Sequence, residues 1–274
     1  MVIDSHQHFW KYDPVRDSWI TDEMAVIKRD FLPVDLGPEL QSNGVHGCVS
    51  VQADQSETET HFLLEMSDSA KFVKGVVGWV DLRADDLTEK LLYFKRFPKL
   101  KGFRHIVQGE PEGFLRNEKF IKGVNELGKH GFTYDLLLYH YQLQEALEFM
   151  PKVPDTKIVI DHIAKPAIAR GEKTQWELNM AAMATFPNIS CKLSGMVTEA
   201  SWRSWKRDDI YPYLDEVMEA FGPKRLMYGS DWPVCLVAAS YKAQFEIVRS
   251  YVSQLSDAEQ KAILGGNAIA FYGL

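Results

Sequence analysis

Eight short strand-like runs alternate with helical patterns along the whole chain, and this alternation constrains the fold more than any other feature. Runs such as Gly47-Cys48-Val49-Ser50-Val51 and Ile158-Val159-Ile160 are nearly apolar throughout, which is typical of parallel strands buried on both faces. The predicted strands are Val2–Phe9, Val45–Ala53, Phe72–Leu82, Leu100–Val107, Phe132–Leu138, Lys157–Ile163, Ile189–Ser194 and Arg225–Ser230.

The segments between the strands carry helix start signals. Ser56 with Glu59 and Ser256 with Glu259 predict capping boxes, and Asn117 predicts a helix N-cap. Eight strands, each followed by a helix, in 274 residues predict a closed (β/α)8 barrel, for which about 250 residues are usual. A doubly wound open sheet is the alternative, and the pattern does not separate the two. Without an interior linker, residues 1–274 are predicted to form one domain.

The first connection differs from the others in length. Lys11–Pro38 is rich in Trp, Asp and Pro, and it is long for a βα loop. We expect it to form an elaborated loop over the pocket.

Composition narrows the classes of partner and compartment. The formal charge of −7 comes from 38 acidic and 31 basic residues without a basic stripe, so nucleic acid and anionic membranes are not expected as partners. The opening Met1–His6 lacks the order of a signal peptide, and no run approaches the ~18 apolar residues of a membrane span. Three widely spaced cysteines, Cys48, Cys191 and Cys235, favour a reducing cytoplasm. The oligomeric state, including a homo-oligomer, stays open.

Polar residues capable of chemistry follow three of the predicted strands. His6 and His8 are two residues apart on the first strand, so strand alternation aims both imidazoles at the same side, where they could share a metal or a substrate oxygen. His162 ends the sixth strand and Asp231 the eighth. In isolation, His162 could simply bond to backbone and Asp231 could cap a helix. Catalytic residues of such barrels come from strand ends, which favours a shared site.

The chain resembles the amidohydrolase-2 branch of the metal-dependent hydrolase superfamily, and within it sugar-lactone and pyrone-dicarboxylate lactonases. The motifs that carry this resemblance lie on the first, fourth, sixth and eighth strands and near the C-terminus, and so cover nearly the whole chain. They are Ile3-Asp4-Ser5-His6-Gln7-His8-Phe9-Trp10, Gly102-Phe103-Arg104-His105, Asp161-His162-Ile163-Ala164-Lys165-Pro166, Gly229-Ser230-Asp231-Trp232-Pro233 and Gly266-Asn267-Ala268.

The resemblance implies a mechanism and at most one metal ion. Asp231 would be the general base that activates water, while His6, His8 and His162 would bind the carbonyl oxygen directly or through a metal. Binuclear members carry a bridging lysine or glutamate at the end of strand four or five, and here that position has none. His6, His8, His162 and Asp231 could hold one divalent ion, with zinc the best match to imidazole and carboxylate. The resembling lactonases include metal-independent enzymes, so the metal requirement stays open.

Substrate contacts are expected from strand ends and loops around the barrel mouth. Arg104 and His105 are adjacent in a strand, so only one of them should face the pocket. Aromatic faces with neutral polar groups suit a polyhydroxylated sugar better than a dicarboxylate, which would require several arginines. The candidate contacts are Arg104, His105, Trp10, Gln52, Trp79, Gln108, His140 and Trp232.

Opening of a sugar (aldono) lactone, such as a fucono- or rhamnono-lactone, is therefore the leading function. The alternative enzyme is a zinc-dependent nonoxidative decarboxylase of an aromatic or muconate-type acid, which needs firmly bound zinc and a carboxylate clamp. A noncatalytic binding barrel is the third interpretation. The presence of all four polar residues at the strand ends weighs against it.

Overall fold

The computed structural model describes residues 1–274, and its centre is a single sheet of eight parallel strands. Their order in the sheet is the order in the sequence, β1 to β8. The bounds are β1 Ile3–Gln7, β2 Gly47–Val51, β3 Val73–Gly78, β4 Leu100–Ile106, β5 Thr133–Leu137, β6 Ile158–Ile160, β7 Ile189–Leu193 and β8 Leu226–Tyr228.

The sheet closes through residues that follow β1 and β8. Gln7 pairs in parallel with Trp232, His8 N donates to Trp232 O over 2.7 Å, and Asp231 N donates to His6 O over 2.8 Å. Sequential strand order with this closure confirms the (β/α)8 barrel and excludes the doubly wound sheet. All eight predicted strands are present but shorter than predicted, because residues at one or both ends of each predicted run lie outside the sheet.

Helices cover the outside of the barrel and follow the strands in turn. Their bounds are α1 Pro33–Ser42, α2 Glu57–Ser69, α3 Leu87–Phe94, α4 Glu118–Lys129, α5 Leu143–Phe149, α6 Thr174–Met183, α7 Met196–Glu199, α8 Arg207–Phe221, α9 Tyr241–Val252, α10 Asp257–Lys261 and α11 Asn267–Tyr272. None of them combines the length and apolar character needed to cross a membrane.

Two local predictions need correction, and a third is confirmed. The loop predicted over Lys11–Pro38 ends earlier, since Pro33 opens α1, where a proline costs no hydrogen bond. Ser56 caps α2 by accepting from Glu59 N, but the Glu59 carboxylate binds the backbone N–H groups of Ala53 and Asp54 instead of closing a box. The second capping box, at the start of α10, is confirmed.

The end of the barrel that holds the N-terminal ends of the strands is closed by α11. Ala268 and Tyr272 pack with inward-facing residues such as Ile3, Val77 and Met227. The hydroxyl of Tyr272 donates to Asp135 Oδ2 over 2.8 Å inside the barrel. The barrel interior is thus filled at this end, and only the face at the C-terminal ends of the strands is available to a ligand.

Candidate active site

Four polar side chains meet at the strand ends of the barrel. His6 Nε2 lies 3.2 Å from His8 Nε2. Oδ1 of Asp231 lies 3.4 Å from His8 Nε2, 3.7 Å from His162 Nε2 and 3.9 Å from His6 Nε2. All four side chains are almost wholly buried. The residues selected from three separate strands therefore form one cluster.

Backbone geometry fixes two members of this cluster. Asp231 has φ of 58° and His162 has φ of 55°, a left-handed conformation that non-glycine residues rarely adopt. Gly195 follows β7 with φ of +65°, and a Cβ there would lie 2.5 Å from His162 Nδ1. A glycine is thus needed at this position both for its φ and for the close approach of the imidazole.

Hydrogen bonds set the tautomer of His8 and the ring orientation of His162. His8 Nδ1 donates to the carbonyl oxygen of Val51 over 2.8 Å, so its Nε2 carries a lone pair. His162 Nδ1 is hydrogen-bonded to Ser194 Oγ over 2.8 Å, which leaves its Nε2 facing Asp231. These partners hold both rings so that Nε2 points into the cluster, the orientation that a metal-binding histidine requires.

The buried environment keeps the imidazoles neutral and Asp231 ionised. Burial lowers the pKa of His162 to about 4, although Asp231 opposes the shift, and burial likewise lowers the pKa values of His6 and His8. Burial alone would raise the pKa of Asp231, but His162, His8 and His6 outweigh it and hold that pKa below its usual range. On acidification His162 therefore takes up a proton before Asp231 does.

A buried ionic cluster beneath His6 was not predicted from the sequence. Lys192 Nζ lies 2.5 Å from Asp135 Oδ2, 2.9 Å from Asp161 Oδ1 and 3.1 Å from His6 Nδ1. Arg104 Nη1 reaches Asp161 Oδ2 at 3.1 Å. His6 Nδ1 also lies 3.3 Å from Asp161 Oδ1, so either imidazole tautomer has a partner. The sequence showed Lys192 and Asp135 only as polar residues in strands, without a signal that joined them.

The donor set fits one divalent cation. Tetrahedral zinc with bonds of about 2.0–2.1 Å places its ligand atoms about 3.3–3.5 Å apart. The separations among His6, His8 and Asp231, which form one donor group, are 3.2–3.9 Å, and His162 Nε2 lies 3.7 Å from Asp231 Oδ1. His6, Asp161 and His162 form a second group of donor atoms. There Asp161 is already paired with two cationic side chains, so a second ion has no uncompensated carboxylate to bind.

A cavity of about 350 Å³ opens above the cluster, a size suited to a small molecule. A neighbouring depression of about 410 Å³ shares Trp10 but none of the four cluster residues. The lining residues of the first cavity are His8, Trp10, Trp19, Ala53, Arg104, Ile106, Gln108, Gly109, Leu137, Tyr139, His162, Lys165, Asp231 and Val234.

Of the adjacent residues Arg104 and His105, only Arg104 faces the cavity. Arg104 lines it, whereas His105 points outward, stacked at 4.8 Å on Phe114, with Nε2 hydrogen-bonded to Glu110 Oε1 over 2.7 Å. The strand alternation therefore separates the two side chains as expected. His105 does not contact the cavity.

Two other candidate contacts, Trp10 and Gln108, line the cavity, and four do not. Gln52 is fully buried and donates from Nε2 to Arg104 O over 3.1 Å. Trp79 donates toward His105, and Trp232 packs edge-on against neighbouring aromatic rings. His140 Nδ1 donates to the carbonyl of Lys165 over 2.8 Å. These four side chains lie outside the lining of the cavity.

Some lining residues were not selected from the sequence. Lys165 is the most polar of them, and it lies three residues after His162 in the strand-six motif. Trp19, an aromatic residue of the long first connection, also lines the cavity. Spacing from a known site residue could have identified Lys165, but no pattern predicts apolar wall residues such as Leu137.

The geometry agrees with the comparisons to known proteins. The family model described as amidohydrolase matches residues 3–274. The chain belongs to the amidohydrolase family. This amidohydrolase is 40% identical to an L-fucono-1,5-lactonase of Burkholderia multivorans, over 99% of this chain and 96% of that one. It is 34% identical to an L-fucono-1,5-lactonase of Burkholderia ambifaria, over 98% of this chain and 94% of that one.

A solved structure resembles the amidohydrolase along its whole length. The crystal structure of an amidohydrolase from Burkholderia multivorans with bound zinc superposes with a TM-score of 0.96 at 40% identity, covering 100% of this chain and 99% of that one. The similarity extends across all eight strands, so the barrel and the relative placement of its strand ends are shared.

Proposed function

We propose that this amidohydrolase hydrolyses a sugar lactone to the free aldonic acid, with Asp231 as the general base. The proposal rests on the positions of the two carboxylate oxygens of Asp231. The shortest contact of each imidazole with the carboxylate is to Oδ1, and Asp231 lines the cavity. One oxygen can therefore stay with the imidazoles while the other accepts a proton from water.

The reaction needs one proton to be moved twice. Asp231 takes it from water as the water oxygen attacks the lactone carbonyl carbon. When the bond between that carbon and the ring oxygen breaks, Asp231 returns the proton to the ring oxygen, which leaves as a hydroxyl group. The low pKa of Asp231 ensures that the base is ionised at neutral pH.

We further propose zinc as the ion held by His6, His8, His162 and Asp231, as the bound zinc of the relative supports. A bound divalent cation would polarise the lactone carbonyl. Arg104 Nη1, 3.3 Å from His6 Nε2, adds a positive charge at the same place. In a metal-independent reaction the positive charge of Arg104 would help to stabilise the oxyanion.

The cavity walls favour a sugar over an aromatic acid. Arg104 is the single arginine that lines the cavity, and its Nη1 is paired with Asp161. A decarboxylase or a dicarboxylate hydrolase needs a clamp for a carboxylate, and no free pair of arginines provides one. Trp10, Trp19 and Tyr139 offer aromatic faces instead.

A screen of aldonolactones with a pH indicator tests the proposal, because every turnover releases an acid. L-fucono-1,5-lactone is the first lactone to assay, with rates corrected for spontaneous opening. We expect kcat/KM in the ordinary enzyme range, about 10⁴ M⁻¹s⁻¹ or more, for at least one lactone. Failure to open any aldonolactone faster than the buffer would refute the function.

A further inference from the structure

The turn that follows β6 has an unusual backbone. Four consecutive non-glycine residues, His162, Ile163, Ala164 and Lys165, have φ values between 47° and 60°, and a β-branched residue such as Ile163 is rarely found there. Hydrogen bonds hold the turn in place. Trp176 Nε1 donates to Ile163 O over 2.7 Å, and Lys165 N donates to His162 O over 2.8 Å.

This turn brings two polar side chains to the same cavity. With about three residues per turn, the first and fourth residues lie above one another. His162 and Lys165 accordingly both line the cavity, while Ile163 and Ala164 between them are fully buried. Strained backbone of this kind accumulates at functional sites. The strain here positions Lys165 as well as the imidazole of the cluster.

Lys165 has hydrogen-bond donors to spare. Its Nζ lies 3.3 Å from Glu199 Oε1 and 5.4 Å from the ring centroid of Tyr139. An ammonium has three donors, so at least one remains for a ligand. Arg104, the other cation of the cavity, is already engaged through both terminal nitrogens, to Asp161 and to the carbonyl of Gln52.

A hydrogen-bond acceptor without a partner is present in the same cavity. Gln108 Oε1 is buried without a hydrogen-bond partner, and Gln108 lines the cavity. A buried acceptor of this kind is costly unless a ligand satisfies it. A hydroxyl group both donates and accepts, so it can satisfy Gln108 and Lys165, whereas a carboxylate only accepts. Glu199 also neutralises the charge that would attract a carboxylate.

We propose that Lys165 binds the ring hydroxyl groups of the substrate, and that it makes the enzyme selective for polyhydroxylated lactones over unsubstituted ones. The proposal rests on the proposed lactonase function and adds a specificity-determining residue to it. Lys165 donates to a hydroxyl oxygen, and Gln108 Oε1 accepts from a hydroxyl group on the same ring. The lactone carbonyl remains at the imidazole cluster.

The test compares two lactones of the same ring size, L-fucono-1,5-lactone and δ-valerolactone, which has no hydroxyl groups. In Lys165→Met, kcat/KM for the sugar lactone should fall about 10- to 100-fold, the usual effect of losing a hydrogen bond to a charged group. The value for δ-valerolactone should stay within about threefold. Where δ-valerolactone is opened too slowly, its inhibition constant against the sugar lactone replaces kcat/KM.

Two further variants make the comparison specific. Lys129→Met, at an exposed position of α4, is the matched control and should leave both lactones unaffected. Glu199→Gln keeps Lys165 but removes its anchor, so it should reduce selectivity less than Lys165→Met does. Circular dichroism and thermal unfolding check that each variant folds.

Three outcomes contradict the proposal in different ways. Equal losses on both lactones in a folded Lys165→Met protein would assign Lys165 to the chemistry rather than to hydroxyl recognition. Unchanged kcat/KM for both lactones in Lys165→Met would exclude a contact of Lys165 with the hydroxyl groups, while the lactonase function would stand. A parent enzyme that opens neither lactone would overturn the proposed function itself and this inference with it.

Discussion

His8 Nε2 lies 3.4 Å from Asp231 Oδ1, although the two residues stand near opposite ends of the chain. The same two segments close the barrel, because His8 N donates to Trp232 O and Asp231 N donates to His6 O. The segments that close the sheet therefore also bring the site residues together. The site consequently cannot form in an open sheet, even one in which every strand is present.

Asp231→Asn tests the general base. Asparagine keeps the shape but cannot take a proton from water, so kcat for lactone opening should fall about 10²–10⁴-fold while KM changes little. Stopped or continuous assays with a pH indicator measure kcat. Asp68→Asn, on the exposed surface of α2, is the control. A corrected kcat within about threefold of the parent would show that another group is the base. Recovery of activity with excess metal would instead indicate a role confined to metal binding.

We expect one divalent cation per chain, or none. Arg104 and Lys192 already compensate the charge of Asp161, so the second donor group has no net charge to offer a cation. Elemental analysis of protein purified without chelators gives the stoichiometry, and treatment with a chelator followed by zinc shows whether activity depends on it. Two tightly held ions per chain would contradict this interpretation of Lys192.

Gly195→Ala should displace His162. Alanine at φ of +65° costs about 1–2 kcal/mol in backbone conformation, and its Cβ would also lie within 2.6 Å of the imidazole. Gly171→Ala is the matched control, since Gly171 has φ of +66° and open space around its Cβ position. Both variants should lose stability in urea unfolding, with the larger loss in Gly195→Ala because of the added clash, and only Gly195→Ala should lose about 10–100-fold in metal affinity or activity. Equal activities of the two variants would argue against the contact.

The strands were predictable because parallel strands buried on both faces leave long apolar runs. Their ends were not, because apolar residues such as Ile163 and Val80 are buried just beyond the strands, so the apolar pattern does not mark where the sheet ends. Strand order and alternation brought His6, His8, His162 and Asp231 together in the prediction. Their roles in catalysis remain proposals.

Side-chain direction beyond the strand ends could not be predicted. Gln52, Trp79 and His140 follow strands and were expected at the mouth, yet each turns away to satisfy a hydrogen bond elsewhere. Lys192 and Asp135 meet only because closure brings β5 and β7 around one axis. Partnerships of this kind depend on the three-dimensional register, and a single sequence carries no record of it.

Two buried carboxyl groups predict how stability changes with pH. Burial raises the pKa of Glu59 to about 7 and that of Asp4 to about 6, whereas in the unfolded chain both are near 4. The folded protein therefore binds more protons than the unfolded chain between about pH 4 and 7. Stability from these groups is fully present below the unfolded pKa values and is lost as the pH rises through the folded ones.

Urea unfolding at constant ionic strength from pH 5 to 8 measures this loss. For Glu59 the shift corresponds to a loss of up to about 3 kcal/mol across the range, while the buried imidazoles, whose pKa values are lowered, contribute in the opposite direction below about pH 6.5. Glu59→Gln removes the Glu59 titration, so the free energy of unfolding of the parent relative to this variant should decline as the pH rises. Glu57→Gln, a partly exposed position on the same helix, should have the same pH dependence as the parent. If the Glu59→Gln and parent curves run parallel, Glu59 is not the group that takes up a proton on folding.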